Sequence, residues 1–445
     1  MELNRKLLRK PIVISLWFSA ATYLLFIFGS YSYPEINRTK LFIFLLVTNL
    51  AMFTGFCFGT KTKSRQPGHV RFPIETTISV LFWVSLLVCI PKFAIYTGNL
   101  DLNFSEIIYN IRHFFTSSQE IYSARQNLKS VSGVWRYINY GLVLAGPLYW
   151  AYTPLAMFYW RKLKLSKKIG TLFIWMIYLL QYMCTGTNVG FFDFFITLGV
   201  VILIKGATRS ASASLKTKIS RKQKRTMMII LILIVLLLVL IFSTTMGDRI
   251  GSAYKKTSPI GPYTAPFNYN SPVNKLLPGS LEPLAAFLTR YLAQPYNALA
   301  MALDLPFDST WGLGNSWFVM DNLGSLSATI WERTYNIKLE QNYNFDHYGN
   351  WHTAYLWFAN DVSFIGVPLL FFILFAVFGK MWKEFLETKS IFAFLFFMLF
   401  VKLVYFISAN NQVFMNSDTL LAFWGLVLLY ILFRHYYWEE ARYGI

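Results

Sequence analysis

The sequence contains few cysteines and lacks the common nucleotide and metal motifs. Its three cysteines, Cys57, Cys89 and Cys184, lie in or beside apolar stretches, and their spacing suits neither a disulfide framework nor a metal site. No Gly-rich phosphate loop of the Walker or dinucleotide type occurs, which argues against an ATP-driven pump. HExxH and DxD-like clusters are missing too, so we predict no metal ion and no cofactor.

Charged residues are also scarce, acidic ones in particular. Only 14% of the 445 residues are charged and 55% are hydrophobic, which is too apolar for an ordinary soluble domain. The net charge of +20 could indicate nucleic-acid binding, but the basic residues lie between apolar runs rather than together on one water-facing segment. We therefore expect membrane lipid around the protein and no nucleic-acid partner.

Long apolar runs are abundant. A membrane-spanning helix needs about 20 mostly apolar residues to cross a hydrocarbon core about 30 Å thick, and the runs show no strand-type alternation. Ten of them lie near residues 11–30, 40–60, 76–97, 134–159, 169–186, 189–204, 226–245, 362–379, 390–409 and 418–433. The predicted fold is all-α and polytopic, with about ten transmembrane helices, the first of them an uncleaved span.

The distribution of Lys and Arg predicts the orientation, because short cytoplasmic loops are enriched in both residues. Of the 41 basic residues, 26 lie in the N-terminal segment, in four short loops and in the C-terminal tail, whereas residues 246–361 hold seven basic and nine acidic residues. We therefore predict transmembrane helices 1–7 in residues 1–245, a large and partly helical extracytoplasmic loop at 246–361, and helices 8–10 with a cytoplasmic tail in residues 362–445. Both termini are expected in the cytoplasm.

An ionisable group within a membrane span is costly and therefore suggests a function, and we single out four of the charged residues in the predicted spans. Lys92, Arg136, Asp193 and Lys402 all fall in the outer half of the membrane in this topology. They could line an outward-opening polar cavity suited to an anionic head group. They could equally be structural, with Asp193 paired to Lys402 and with Lys92 and Arg136 reaching the interface.

Residues 281–302 are nearly apolar enough for another span, but Glu282, Arg290 and Pro295 interrupt them. We predict a broken helix lying on or dipping into the outer leaflet, with Arg290 near the depth of lipid phosphate. Arg249 follows the outer end of predicted helix 7. Either guanidinium could hold a phosphate or diphosphate, or form a structural ion pair with a neighbouring acid.

The predicted loop is rich in Trp, Tyr, Phe and Asn, unlike a disordered segment. Aromatic faces can stack on sugar rings while polar side chains bond the hydroxyls, although Trp and Tyr also anchor proteins at the membrane boundary. His347 and His352 lie shortly before predicted helix 8, and a neutral imidazole can take a proton from a sugar hydroxyl. Asp361 could orient such an imidazole or accept the proton itself.

Two short motifs resemble those of a known family, the Wzy-type polymerases of lipid-linked oligosaccharide repeat units. Thr185-Gly186-Thr187-Asn188 resembles a Gly-Ser/Thr-Arg turn that these proteins often carry before a helix. Residues 350–355, which include Tyr355, and the run Asp361-Val362-Ser363-Phe364-Ile365-Gly366 resemble a Tyr-rich segment and an Asp-Phe-Gly-x-x-Gly sequence. Asn188 stands where the family often has Arg, and Val362-Ser363 replaces Phe-Gly, so Arg249 and Arg290 are expected to supply the diphosphate contact.

The resemblance implies a metal-independent glycosyltransferase of the bacterial inner membrane. Its donor and acceptor would be undecaprenyl-diphosphate-linked oligosaccharides, polymerised into O-antigen or capsular polysaccharide on the outer face, with a chain-length regulator protein as a further partner. In this reading His352, Asp361 and His347 are catalytic candidates. The substrate-binding candidates are Arg249, Arg290, Lys402, Asp193, Asn188 and Tyr355.

Three alternatives remain open on the sequence alone. One is a plain ion or solute transporter, which would be favoured if the charges in the outer half of the membrane formed a through-going path. An O-antigen ligase has nearly the same architecture and differs in its acceptor. A flippase or transporter of the lipid-linked oligosaccharide shares the many spans, but it does not need a large folded loop, so the loop favours an enzyme.

Overall fold

The computed structural model describes residues 5–63, 70–71, 73–126, 132–211, 220–250, 255, 257–260, 263–347, 349–432 and 436–437. The chain is predominantly α-helical, as the apolar runs predict. The helices are α1 (Arg5–Phe28), α2 (Arg38–Lys61), α3 (Ile74–Thr97), α4 (Phe104–His113), α5 (Ser118–Gln126), α6 (Val134–Phe158), α7 (Leu165–Met183), α8 (Val189–Ala211), α9 (Arg221–Ile250), α10 (Pro272–Leu276), α11 (Glu282–Leu292), α12 (Gln294–Ala302), α13 (Trp317–Asp321), α14 (Ser327–Arg333), α15 (Tyr335–Tyr343), α16 (Ala354–Thr388), α17 (Ile391–Phe406), α18 (Gln412–Met415) and α19 (Ser417–Leu432).

Strands are few and short in the described ranges. They are β1 (Val70–Arg71), β2 (Thr257–Ile260), β3 (Tyr263–Pro266) and β4 (Tyr436–Tyr437). β1 pairs in parallel with β4, and β2 forms an antiparallel pair with β3 in which Thr257 lies opposite Pro266. Short 3₁₀ turns lie at Trp160–Lys162, Gly279–Leu281 and Gly324–Leu326.

A helix lies at each of the ten segments predicted to span the membrane. Among the described residues, six helices are long and apolar enough to cross a membrane, namely α1, α2, α3, α8, α9 and α16. α17 and α19 are apolar but only 16 residues long. The all-α membrane class is thus supported by these helices, while the number of ten spans stays a prediction.

The chain divides into two compact units. The first consists of residues 1–65, 252–389 and 396–416, and the second of residues 66–251, 390–395 and 417–445. The first unit therefore combines α1, α2 and α16 with the short helices α10 to α15. The second unit is built mainly from α3 to α9 and α19.

Glycines allow α2 and α16 of the first unit to pack with their backbones in contact. A Cβ atom added to Gly55 would lie 2.2 Å from the carbonyl oxygen of Phe372, and one added to Gly59 would lie 1.9 Å from that of Ala376. From the opposite helix, a Cβ on Gly379 would meet the carbonyl oxygen of Phe56 at 2.3 Å. Gly55 and Gly59 are four residues apart and share one face, the spacing with which small residues let membrane helices approach closely.

Residues 281–302 form a broken helix, as the sequence predicts. α11 ends at Leu292 and α12 begins at Gln294, just before Pro295, whose missing N–H suits a first turn. Every residue of α12 is buried, and the helix packs on α2, α15 and α16. α12 is therefore an internal helix of the first unit and leaves no face for lipid, so the predicted interfacial position does not apply to it.

Candidate functional site

The segment between α15 and α16 carries His352, the first of the predicted proton acceptors. Thr353 caps α16 by accepting a hydrogen bond from the Leu356 N–H at 3.2 Å, and the Ala354 N–H donates to the Ile407 carbonyl at 3.0 Å. These bonds fix the backbone directly after His352. The side chain of His352 is only 1% exposed.

Neither ring nitrogen of His352 has a hydrogen-bond partner among the described residues. Its surroundings are aromatic, with the Phe345 ring at 5.3 Å and the Trp357 ring at 6.2 Å, the latter perpendicular to the imidazole. The pKa of His352 is lowered to about 3, mainly by burial; the positive charge that His347 can carry adds to this shift, and Asp346 opposes it. The imidazole is therefore neutral at pH 7.

A tryptophan cluster, made of Trp317, Trp331 and Trp357, lies next to both histidines. The Trp317 and Trp331 rings are 5.0 Å apart, and Trp357 lies 6.4 and 6.3 Å from them. Met320 and Ile330 complete the buried core of this cluster. The aromatic residues of the predicted loop thus form a packed core of their own within the first unit.

His347 lies against the same cluster and differs sharply from His352. Its ring stacks on Trp317 at 6.2 Å and lies 5.4 Å from Trp331. Its Nδ1 atom forms a short contact with a carboxylate oxygen of Glu340 in α15. The sequence analysis did not single out Glu340, which lies seven residues before His347 in the chain.

Asp361 is held by three hydrogen-bond donors. Its carboxylate accepts from the Thr310 hydroxyl, from the Gly314 N–H at 2.9 Å and from the Asn315 side chain at 2.6 Å. All three donors belong to the turn at residues 310–315. Asp361 therefore ties that turn to α16, a structural arrangement that leaves its role as a proton acceptor a prediction.

Asn360 also joins neighbouring segments to α16, and the sequence analysis did not identify it. Its side chain is fully buried; it accepts from the Tyr335 N–H at 2.8 Å and donates to the Gly314 carbonyl at 2.9 Å and to Asn336 at 3.0 Å. Asn360 and Asp361 together fasten two loop segments to the first turns of α16. Nothing in a lone Asn-Asp pair indicates this from sequence.

The helical conformation of α16 breaks directly after this pair. Ser363 has φ +60° and ψ 167° inside the span assigned to the helix, a conformation that is essentially restricted to glycine. Two helical pieces therefore meet at Ser363. The non-helical residue stands at the position where Asp-Phe-Gly-x-x-Gly has its first glycine.

Three other predicted site residues also belong to the first unit. Tyr355 is fully buried and packs against Phe44 and Phe371 at 6.0 and 5.1 Å. Lys402 is 7% exposed on α17. Arg290 is half-buried in the last turn of α11.

Arg290 acts electrostatically on Tyr33. Burial raises the pKa of Tyr33 most, Tyr31 adds to the rise, and the positive charge of Arg290 opposes it. Glu282, an acidic residue in the first turn of the same helix as Arg290, pairs with Lys255 at 2.9 Å. The side chain of Arg249 lies outside the described residues, while its neighbour Asp248 accepts from Ser118 at 2.9 Å and from the Gln119 N–H at 3.1 Å.

The remaining two candidates belong to the second unit. Asn188 donates to the Thr245 hydroxyl at 2.6 Å, just after a turn in which Gly186 has φ +61°. Asp193 lies in α8 within electrostatic range of Tyr96 and Tyr182. Lys92 forms an ion pair with Asp418, a partner that the sequence analysis did not name.

Comparison with protein families, curated proteins and solved structures finds no match to this chain. The assignment of function therefore depends on the arrangement of its own residues.

Proposed function

We propose that the protein polymerises undecaprenyl-diphosphate-linked oligosaccharide repeat units into O-antigen or capsular polysaccharide. The reaction would take place at the outer face of the bacterial inner membrane, with ten spans, cytoplasmic termini and residues 246–361 outside. The observation that carries the proposal is the buried imidazole of His352 just before a long apolar helix, with neither ring nitrogen bonded to any residue that the structure describes.

The unbonded imidazole supports a functional role because buried polar atoms without partners are rare and need an explanation. A bound sugar hydroxyl can donate to one ring nitrogen of His352, and the other can donate to a second oxygen of the sugar.

The helix break at Ser363 supports the resemblance on which the proposal draws. Ser363 is the residue that replaces glycine in Asp361-Val362-Ser363, and it has the positive φ that glycine adopts readily. The hydrogen bonds of Asp361 and Asn360 hold the polypeptide on the preceding side of that break. The motif therefore corresponds to a defined local structure as well as to a string of residues.

Exposed tryptophans outside the tryptophan cluster support a carbohydrate substrate. Ring faces of Trp stack on the C–H faces of pyranoses, while polar groups beside them bond the hydroxyls. Trp311 and Trp351, at 62% and 37% exposed, present rings at the surface of the first unit. These two residues are the ones we expect to contact the growing glycan.

In the proposed reaction, a hydroxyl of the incoming repeat unit attacks the anomeric carbon of the growing chain. The new glycosidic C–O bond forms as the bond from that carbon to the diphosphate breaks, and the electron pair leaves with the diphosphate. His352 takes the proton of the attacking hydroxyl. An anionic diphosphate nearby raises the pKa of a buried imidazole, since it favours the charged form, and Arg290 stabilises the leaving group.

Deletion of the gene in its own host tests the proposal. We expect long surface polysaccharide chains to disappear from a gel while a single repeat unit still reaches the surface. Long chains that accumulate on the polyprenyl carrier would instead identify a ligase, and single units retained on the inner leaflet would identify a flippase. Either of these outcomes contradicts the polymerase.

A further inference from the structure

Three side chains with metal-binding atoms meet between the end of α15 and the segment that follows it. They are Glu340, Asp346 and His347, whose ligand atoms all lie within 4.8 Å of one another. His347 is buried, Glu340 is half-buried and Asp346 is exposed. The group therefore has one fixed nitrogen, two carboxylates and an open side toward solvent.

Local backbone structure brings these residues together. Asn344 ends α15 in the left-handed conformation, φ 48°, and its N–H donates to the Glu340 carbonyl at 2.8 Å. This turn sends the chain back along the helix, so Asp346 and His347 face Glu340. Asn350 closes the same segment, because its N–H donates to the Asp346 carbonyl at 3.2 Å and its side chain accepts from Gln294 at 2.9 Å.

The imidazole of His347 is held in place by its neighbours. Trp317 stacks on it and Trp331 packs beside it. Both indole N–H groups donate to the carboxylate of Asp321, the Trp331 bond measuring 3.2 Å. A ligand that is already fixed loses little freedom when a metal binds, which favours binding at this site.

We propose that Glu340, Asp346 and His347 bind a divalent transition-metal ion of the Zn²⁺ class. One imidazole nitrogen and two carboxylate oxygens are ligands that such ions accept, with water completing the coordination. Ca²⁺ is a poor fit because it prefers six to eight oxygen ligands. Metal–ligand bonds are about 2.0–2.2 Å long. The side chain of Asp346 is exposed, so it can move its carboxylate to within that distance of the ion.

The bound ion would act as a clamp. It would join α15 to the segment at residues 344–353 and thereby fix the polypeptide that leads to His352. In this arrangement His347 is a positioning residue rather than a proton acceptor. The inference depends on the contacts of these three residues and holds whether or not the protein is a polymerase.

Metal titration of the purified full-length protein in detergent tests the proposal. After treatment with a chelator, the protein is titrated with Zn²⁺ alone, with Co²⁺ alone as a spectroscopic probe and with Ca²⁺ alone. We expect one Zn²⁺ per chain, a rise in Tm of about 3–5 °C and a d–d absorption band with Co²⁺. Because a metal-bound imidazole must be neutral, the affinity for Zn²⁺ should fall as the pH is lowered.

Two variants and a matched control make the result specific. His347→Ala and Asp346→Asn should each lower the affinity for Zn²⁺ by more than about 100-fold, because even outer-shell partners contribute about 10- to 100-fold. Asp346→Asn changes an exposed side chain, so it keeps the test usable if His347→Ala fails to fold. His113→Ala, which removes a half-buried histidine of the second unit, should bind Zn²⁺ like the unaltered protein. Equal Zn²⁺ binding by the Asp346→Asn variant and the unaltered protein, or no binding by either, overturns the proposal.

Discussion

The two ends of the short helical piece that opens α16 are built in opposite ways. At its far end, Asn360 and Asp361 satisfy their polar atoms with six hydrogen bonds to neighbouring segments. At its near end, His352 is buried as deeply as Asn360, yet neither ring nitrogen is bonded among the residues that the structure describes. Fully bonded polar groups stabilise the fold, whereas the two ring nitrogens of His352 are the atoms that we propose to bond a sugar.

Both ends of this helical piece depend on a fixed position of α16. The glycines of α2 fix it, because they let the two helix backbones pack in contact. Gly59→Leu places a side chain where the Ala376 carbonyl already lies 1.9 Å from the added Cβ. We expect a loss of at least about 3 kcal/mol in the free energy of unfolding and little monodisperse protein on size-exclusion chromatography. Gly425→Leu in α19 is the control, since a Cβ there meets no described atom within 4 Å. A Gly59→Leu protein with unaltered Tm would show that the two backbones are not in contact.

The bonded end is tested by Asp361→Ala. This change removes three hydrogen bonds, although the Thr310 hydroxyl and the Asn315 side chain keep second acceptors in the Asn360 and Gly312 carbonyls. We expect a loss of about 2–4 kcal/mol in the free energy of unfolding. Asp361→Asn keeps one acceptor oxygen and should lose about half as much. Thermal unfolding in detergent measures both. If the Asp361→Ala protein is fully stable but makes no polysaccharide, Asp361 has a catalytic role rather than a structural one.

The unbonded end is tested by the pH dependence of stability. The pKa of His352 is about 3 in the folded protein and about 6.5 in an unfolded chain, so between these values the unfolded state binds the extra proton. Stability therefore falls as the pH is lowered through about 6.5, by up to about 1.4 kcal/mol per pH unit. His352→Phe should flatten the Tm-versus-pH curve between pH 7 and 5. The curves are recorded with a chelator present, and equal slopes for the variant and the unaltered protein would contradict the burial of a neutral imidazole.

The helix break gives the smallest expected effect. Ser363→Gly removes the strain of a positive φ and should raise the free energy of unfolding by about 1 kcal/mol. Ser363→Val should lower it by about 1–3 kcal/mol, because a β-branched residue tolerates that conformation poorly. Thermal unfolding of the two variants side by side measures the difference. A less stable glycine variant would mean that the serine side chain itself holds the break.

Much of the fold follows from the length and composition of the apolar runs. α1, α2, α3, α8, α9 and α16 could be placed from hydropathy alone, because each exceeds the length needed to cross a hydrocarbon core. The helix break before Pro295 could also be predicted, because a proline in a helix interior removes a hydrogen bond and clashes with the preceding turn.

The candidate site was less predictable because it depends on contacts between distant segments. His352 could be named from its residue type, but its aromatic surroundings depend on how Phe345 and Trp357 pack around it. Asp361 was named as a proton acceptor, whereas the turn at residues 310–315 that bonds it could not be foreseen. The same applies to Lys92, whose partner Asp418 is more than 300 residues away in sequence.

The most direct test of the central claim compares His352→Phe with the unaltered protein in a host from which the gene has been deleted. Both proteins are quantified in the membrane fraction, and the length distribution of surface polysaccharide is measured on a gel. We predict that His352→Phe accumulates to the normal level and folds, yet restores only single repeat units. Full-length chains made by the His352→Phe protein would contradict the assignment of that imidazole to the reaction.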